Sequence, residues 1–146
     1  MSKGTPAAIL EIAFKTVNLN KNDVLVDLGC RDGRVPQLAS LMTGCYAVGI
    51  ENNPESTEKA KKITERLKLD KKVLIINDNL FNVDLSPYSV VYVYQSGGLL
   101  KRLSKKLRKE AKHTKIVALD YPLCKMSPTK TVVVGKRCLY FYGDLS

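Results

Sequence analysis

The stretch VLVDLGCRDGR, residues 24–34, constrains the fold of this chain more than any other. Apolar residues flank Asp27 and run into Gly29 and then Gly33, and a helical pattern follows. That order reads as a buried strand, a tight glycine turn and a helix start. Such a turn lets backbone N–H groups and a helix N-terminus face a ligand that side chains would otherwise block. A cofactor site is therefore expected near the N-terminal end.

The remaining pattern alternates helices with strands. Thr5 and Pro6 are expected as the N-cap and first residue of a leading helix, with Ile9, Leu10, Ala13, Phe14 and Val17 on one face. Val24–Leu28 is the first strand, and Asp32 is expected to cap a helix carrying Val35, Leu38, Ala39 and Met42. Cys45–Ile50 follows as a strand, and Asn53 and Pro54 open a helix with Ala60, Ile63 and Leu67 inward. Strands are then expected at Val73–Ile76, Ser89–Tyr94 and Lys115–Leu119, with a helix opened by Gly97 and Gly98 before the last of these. Thr131–Val134 and Cys138–Tyr142 flank Gly135 and Lys136 as a closing hairpin. The expected class is α/β: a Rossmann-like, doubly wound seven-strand sheet, mostly parallel, with a C-terminal antiparallel hairpin. At 146 residues with 45% apolar content, one domain over residues 1–146 is expected.

The net charge of +10 fits a lysine-rich solvated surface, and nucleic acid or an acidic protein is the sharper alternative as partner. The densest basic cluster is Lys101, Arg102, Lys105, Lys106, Arg108, Lys109 and Lys112. Leu100, Leu103, Leu107 and Ala111 fall between them at helical spacing, so the charges belong to the outer face of an amphipathic helix. No Phe or Tyr interleaves with them, which argues against stacking on single-stranded nucleic acid. Cys30, Cys45, Cys124 and Cys138 contain no C-x-x-C pair and His113 is the sole imidazole, so no metal site is expected. The cysteines read as reduced thiols, with a Cys124–Cys138 disulfide as the alternative in a hyperthermophile. No run approaches the roughly eighteen apolar residues of a membrane span, and the N-terminus lacks a secretory pattern. A cytoplasmic protein without a membrane partner is expected; oligomeric state has no signature in the chain.

In a parallel sheet of this kind the ligand lies beyond the strand C-terminal ends. The residues found there are Asp27 and the Gly29 turn, Glu51, Asp78 with Asn79, Tyr94 with Gln95, and Asp120 with Tyr121. A carboxylate at the second strand tip, about twenty residues after a glycine turn, suits a ribose. Neither the G-x-G-x-x-G nicotinamide fingerprint nor a P-loop is present. A ribose-bearing cofactor without diphosphate fits better, which points to S-adenosylmethionine.

DLGCRDGR resembles the first motif of class I, seven-strand methyltransferases, usually D-x-G-x-G-x-G. The chain is most similar to archaeal seven-strand protein-lysine methyltransferases and their mitochondrial relatives. Gly49-Ile50-Glu51, Asn79-Leu80-Phe81-Asn82-Val83-Asp84 and Val90–Tyr94 carry that likeness, which spans residues 5–142. It implies that Asp27, Gly29, Arg31 and Gly33 shape the methionine side of the cofactor pocket and that Glu51 holds the ribose. It further implies that Asn79, with Asp78, meets the adenine, that Tyr94 lines the transfer channel, and that Asp120 is the acidic residue after the fifth strand. The likeness departs at two places. Arg31 stands where the family carries its middle glycine, and Gln95-Ser96-Gly97-Gly98 replaces longer aliphatic residues after the fourth strand.

Methyl transfer from a sulfonium is a displacement governed by proximity and alignment, and it needs little acid–base help. An acceptor lysine must first lose its proton, and burial between aromatic walls lowers its pKa. Tyr94, Asp120 and Tyr121 are the candidates lining that channel; no side chain stands out as a general base. The resemblance implies methylation of lysine-containing proteins. An RNA or tRNA methyltransferase is the alternative from charge. A catalytically inactive binding module is the alternative from Arg31, whose guanidinium would repel a sulfonium.

Overall fold

Short runs of Val, Ile and Leu form the strands, because a parallel strand is covered on both faces and needs apolar residues at successive positions. The structure, a computed structural model, describes residues 4–146. The strands are β1 (Val24–Leu28), β2 (Tyr46–Glu51), β3 (Val73–Asn77), β4 (Val90–Val93), β5 (Lys115–Leu119), β6 (Lys130–Val134) and β7 (Arg137–Tyr142). They form one sheet in the order β3-β2-β1-β4-β5-β7-β6. Strands β1 to β5 pair in parallel, whereas β7 runs antiparallel to both β5 and β6. The expected topology is thus present, with β7 inserted between β5 and the edge strand.

The helices are α1 (Ala7–Thr16), α2 (Arg34–Thr43), α3 (Pro54–Arg66) and α4 (Gly97–Glu110). The first three cover one face, where Leu10, Phe14, Val35, Ala39 and Ala60 pack on inward residues of the sheet. The other face is covered by α4 through Leu100, Leu103 and Leu107, and by Leu85 and Leu123 from the loops. Burying each such leucine contributes about 2 kcal/mol. Lys101, Arg102, Lys105 and Lys109 lie exposed on its outer side, as the helical spacing predicts, whereas Lys106 and Arg108 are half-buried, Lys106 paired with Glu110 at 2.9 Å and Arg108 donating to Cys124 O at 2.6 Å. Among the described residues, no helix is long and apolar enough to cross a membrane.

Four local expectations are corrected. Helix α1 begins at Ala7, one residue late, and Thr5 makes no side-chain cap; its hydroxyl lies 3.4 Å from that of Tyr92 instead. Asp32 does not cap α2: Gly33, at φ 86°, occupies the cap position, which its backbone alone suits. On α3 the inward positions are Thr57, Ala60 and Thr64, and Leu67 lies 43% exposed at the helix end. There the buried amide of Gln37 donates to the Thr64 hydroxyl at 3.2 Å, so a polar pair fills space that an apolar reading gives to leucine. The fourth strand covers only Val90–Val93, which frees Tyr94 from the ladder. Asn53 does cap α3, accepting from the Ser56 N–H at 3.0 Å, with Pro54 at the first position. All four cysteines are free thiols.

Candidate functional site

The strand order reverses between β1 and β4, and the crevice beyond their C-terminal ends is where a doubly wound sheet accepts a ligand. A cleft of about 620 Å³ lies there, within the range of small-molecule sites. Asp27, Gly29, Arg31, Glu51, Asn53 and Tyr94 line it.

The turn after β1 is built from the backbone. Gly29 and Cys30 both donate their N–H groups to the carbonyl of Ile50 at 2.9 Å, and Gly33 N–H returns to Cys30 O at 2.9 Å. Gly29 has φ 96°, and a Cβ there would collide with the side-chain amide of Gln95. That amide donates to Leu28 O at 3.1 Å, so Gln95 buttresses the turn from the end of β4. Gly49 leaves room for the Cys30 side chain, whose sulfur would lie 2.5 Å from an added Cβ. Burial, then the charges of Asp27 and Glu51, push the Cys30 thiol up, so this residue is packing rather than a nucleophile.

Arg31 resolves the first departure from the family pattern. Its φ is 53°, so the arginine takes the left-handed conformation that glycine would take, at a cost of about 1 kcal/mol. The gain is its N–H, which donates to Glu51 Oε1 at 2.8 Å. The second oxygen of Glu51 accepts from Asn53 N–H at 3.0 Å. Glu51 is thus buried at 8% exposure and fixed by backbone donors on both sides, with further lone pairs turned to the cleft. The Arg31 side chain is exposed.

Asp27 is 4% exposed, and what little of it is open faces the cleft. Its carboxyl is pushed up to about 8, first by burial and then by the Glu51 carboxylate, with the Arg31 guanidinium opposing the rise. A buried acid that lines a cleft is suited to meet a cation there. Together with the ribose-type acceptor at Glu51, this donor and acceptor set fits S-adenosylmethionine, which carries both a sulfonium and an ammonium.

Of the sequence candidates, Gly33, Asp78, Asn79, Asp120 and Tyr121 fall outside the cleft lining. Gly33 shapes the entry to α2, packed against Gln37 and Ala60. Asn79 Oδ1 accepts from Phe81 N–H at 2.9 Å and caps the short 3-10 turn at Leu80–Asn82. Asp78 Oδ1 accepts from Asn79 N–H at 2.7 Å. Both side chains thus organise the loop after β3, beside the tip of β2. At the other end of the crevice, Tyr94 and Tyr121 stack with ring centroids 6.2 Å apart and 20° between planes. Asp120 is engaged by β7: Arg137 Nε donates to its Oδ2 at 2.8 Å and Cys138 N–H to its Oδ1 at 3.1 Å. Sequence reasoning misses Arg137, Asn53 and Lys59 at this end of the sheet. Asn53 sits two residues after Glu51, so its backbone role is within reach of the spacing; Arg137 has no local signal. None of the basic cluster on α4 lines the cleft.

Comparison with known proteins agrees with this geometry. A family model described as the ANTKMT methyltransferase domain matches residues 27–130. A protein-lysine N-methyltransferase of Saccharolobus islandicus is 28% identical over 89% of this chain and 82% of its own length. A lysine N-methyltransferase of an ATP synthase subunit, from Caenorhabditis elegans, is 32% identical over 73% of this chain, which spans 55% of the worm protein. Among solved structures, an RNA methyltransferase from Salinibacter ruber, in complex with S-adenosyl-L-homocysteine, superposes with a TM-score of 0.91. It is 27% identical and aligned over 96% of this chain and 92% of its own.

Proposed function

The chain belongs to the ANTKMT methyltransferase domain family, and from that premise we propose that it methylates lysine side chains of proteins, with S-adenosylmethionine as donor. The observation that carries this reading is the crevice at the strand reversal. Glu51, fixed by the N–H groups of Arg31 and Asn53, lines the cleft together with Tyr94, on whose ring Tyr121 stacks.

When bound, the cofactor supplies an electrophilic methyl group on a sulfonium. Glu51 holds the ribose hydroxyls, for which its carboxylate has acceptor sites left over. Asp27 offers its carboxylate to the cationic methionine end. The turn from Gly29 to Gly33 keeps the backbone close to that end without side-chain obstruction. Asp78 and Asn79, in the loop after β3, border the adenine side. Tyr94, with Tyr121 stacked on it, offers an aromatic face against which a long aliphatic amine loses part of its hydration, which favours its neutral form, the one with a lone pair to accept the methyl group. The placement of the basic α4 residues away from the cleft lining supports a protein acceptor over RNA. We place this activity in the cytoplasm, on the support of four cysteines kept as thiols.

Incubation with methyl-labelled S-adenosylmethionine and a mixture of proteins and RNA tests the assignment. Acid hydrolysis should return the label as Nε-methylated lysine. Label in modified nucleosides, with none in lysine, would establish the RNA alternative.

A further inference from the structure

Arg137 reaches the transfer mouth from the far end of the sequence. It opens β7, which runs antiparallel to β5, and so arrives at the sheet end where Tyr94 and Tyr121 stand. Its guanidinium lies 5.7 Å from the centroid of the Tyr94 ring while Nε is held by Asp120 at 2.8 Å. Asp120 is itself locked: its N–H donates to Cys138 O at 2.7 Å, Oδ1 accepts from Cys138 N–H at 3.1 Å, and φ is 64°. The two side chains are largely shielded, at 31% and 21% exposure, whereas Tyr94 and Tyr121 are 41% and 44% exposed and open to an incoming chain.

We propose that the Asp120–Arg137 pair is a positioning element for the methyl acceptor, fixing Tyr94 as a wall of the entrance and setting how readily the acceptor amine there gives up its proton. The inference deepens the lysine reading and rests on it. A neutral amine beside Tyr94 stands near one fixed cation and one fixed anion whose fields oppose each other. Removing the cation leaves the Asp120 carboxylate to stabilise the unreactive ammonium; removing the anion leaves the Arg137 guanidinium to disfavour it. The other titratable and charged groups around this mouth are Asp27, Arg31, Asp32, Arg34, Glu51 and Lys59, which line the cleft with Tyr94, then Tyr121 after β5, and Cys138 and Tyr140 from β7; none of them is altered in the variants compared below. Tyr92 lies buried behind them, within the fields of Asp27, Arg137 and Tyr94. Burial works against the charge of Arg137, but the hydrogen bond and charge of Asp120 outweigh it and hold the guanidinium above its ordinary value. It stays charged at every pH at which an amine titrates.

The test is the pH profile of methyl transfer to a lysine-bearing protein, from pH 6 to 10, with S-adenosylmethionine affinity measured alongside by calorimetry. The wild type is compared with R137Q, R137K and D120N; asparagine tolerates the left-handed φ and keeps one acceptor for Cys138 N–H. R137Q should move the alkaline rise in kcat/KM up by about one pH unit and D120N should move it down by a similar amount. R137K should leave it in place, and cofactor affinity should stay within about twofold throughout. Superimposable profiles for the folded variants, or shifts of the same sign for R137Q and D120N, would overturn the inference while leaving lysine methylation intact. Cofactor binding by the wild type without any transfer to lysine would overturn both.

Discussion

The carboxylate of Glu51, at the tip of β2, accepts the backbone N–H of Arg31 at 2.8 Å, so the acid that faces the cleft and the turn after β1 are one unit. This contact shows what Arg31 keeps of the turn at the position where the methyltransferase motif it resembles carries glycine. What the site uses from residue 31 is a left-handed backbone and its N–H, and an arginine supplies both.

Glu51→Gln removes the charge and presents an amide N–H₂ to one of the backbone donors. Losing one charge-assisted hydrogen bond costs about 1.5–3 kcal/mol, so affinity for S-adenosylhomocysteine should fall about tenfold to a hundredfold. Isothermal titration measures it. Thermal stability should fall as well, because the turn loses its anchor.

Arg31→Gly should leave cofactor affinity within about fivefold of the wild type, since an exposed, solvent-screened guanidinium contributes about 1 kcal/mol. The same titration checks this. A gain of two orders of magnitude would mean that the guanidinium does obstruct the cleft and would favour the inactive-module alternative.

Asp27 gives the free protein a pH dependence of definite sign. Its folded pKa of about 8 lies above the ordinary carboxyl value of 3.8, so the folded state holds the proton longer than the unfolded state does. Stability should therefore decline as pH rises from about 4 to 8 and level off above that window. Asp27→Asn should flatten this slope in thermal melts and melt higher than wild type at pH 8.5. For the wild type, affinity for the cationic cofactor should rise from pH 6 to 8, because the ligand favours the ionised carboxyl; the variant should lose that rise.

Two glycines should respond oppositely to alanine. Gly29→Ala forces a side chain into φ 96° and against Gln95, which should cost about 1–2 kcal/mol and lower the melting temperature by several degrees. Gly98→Ala, inside α4 with nothing within 4 Å of the added carbon, should be neutral or raise it. Differential scanning calorimetry on the pair separates turn strain from general helix effects.

The sheet is legible in the sequence because strands β1 to β5 are short, mostly apolar runs and several of their boundaries, such as Gly29 after β1 and Asn53-Pro54 after β2, carry residues with a mechanical role. Glu51 is legible for the same reason: its place at a strand tip follows from where the run YAVGIE stops. Local caps are harder to read. Asp32 has a capping side chain, but the positive φ of Gly33 takes the cap position, a backbone property no side chain announces. Asp120 stands out by position yet reads as free, because its partner Arg137 lies seventeen positions away and meets it only through the antiparallel return of β7. Long-range pairs of this kind leave no periodic trace. The Asp78 and Asn79 side chains show the same limit, since a strand-tip position does not reveal that both are engaged in organising their own loop.

Everything about the cofactor reduces to where the adenosyl group sits, so a crystal structure of the complex with S-adenosylhomocysteine is the most direct measurement. The ribose hydroxyls should lie within hydrogen-bonding distance of Glu51, the amino acid end beside Asp27 and the Gly29 turn, and the sulfur facing Tyr94. Ligand density elsewhere, or an Arg31 side chain folded into the cleft in its place, would contradict the account.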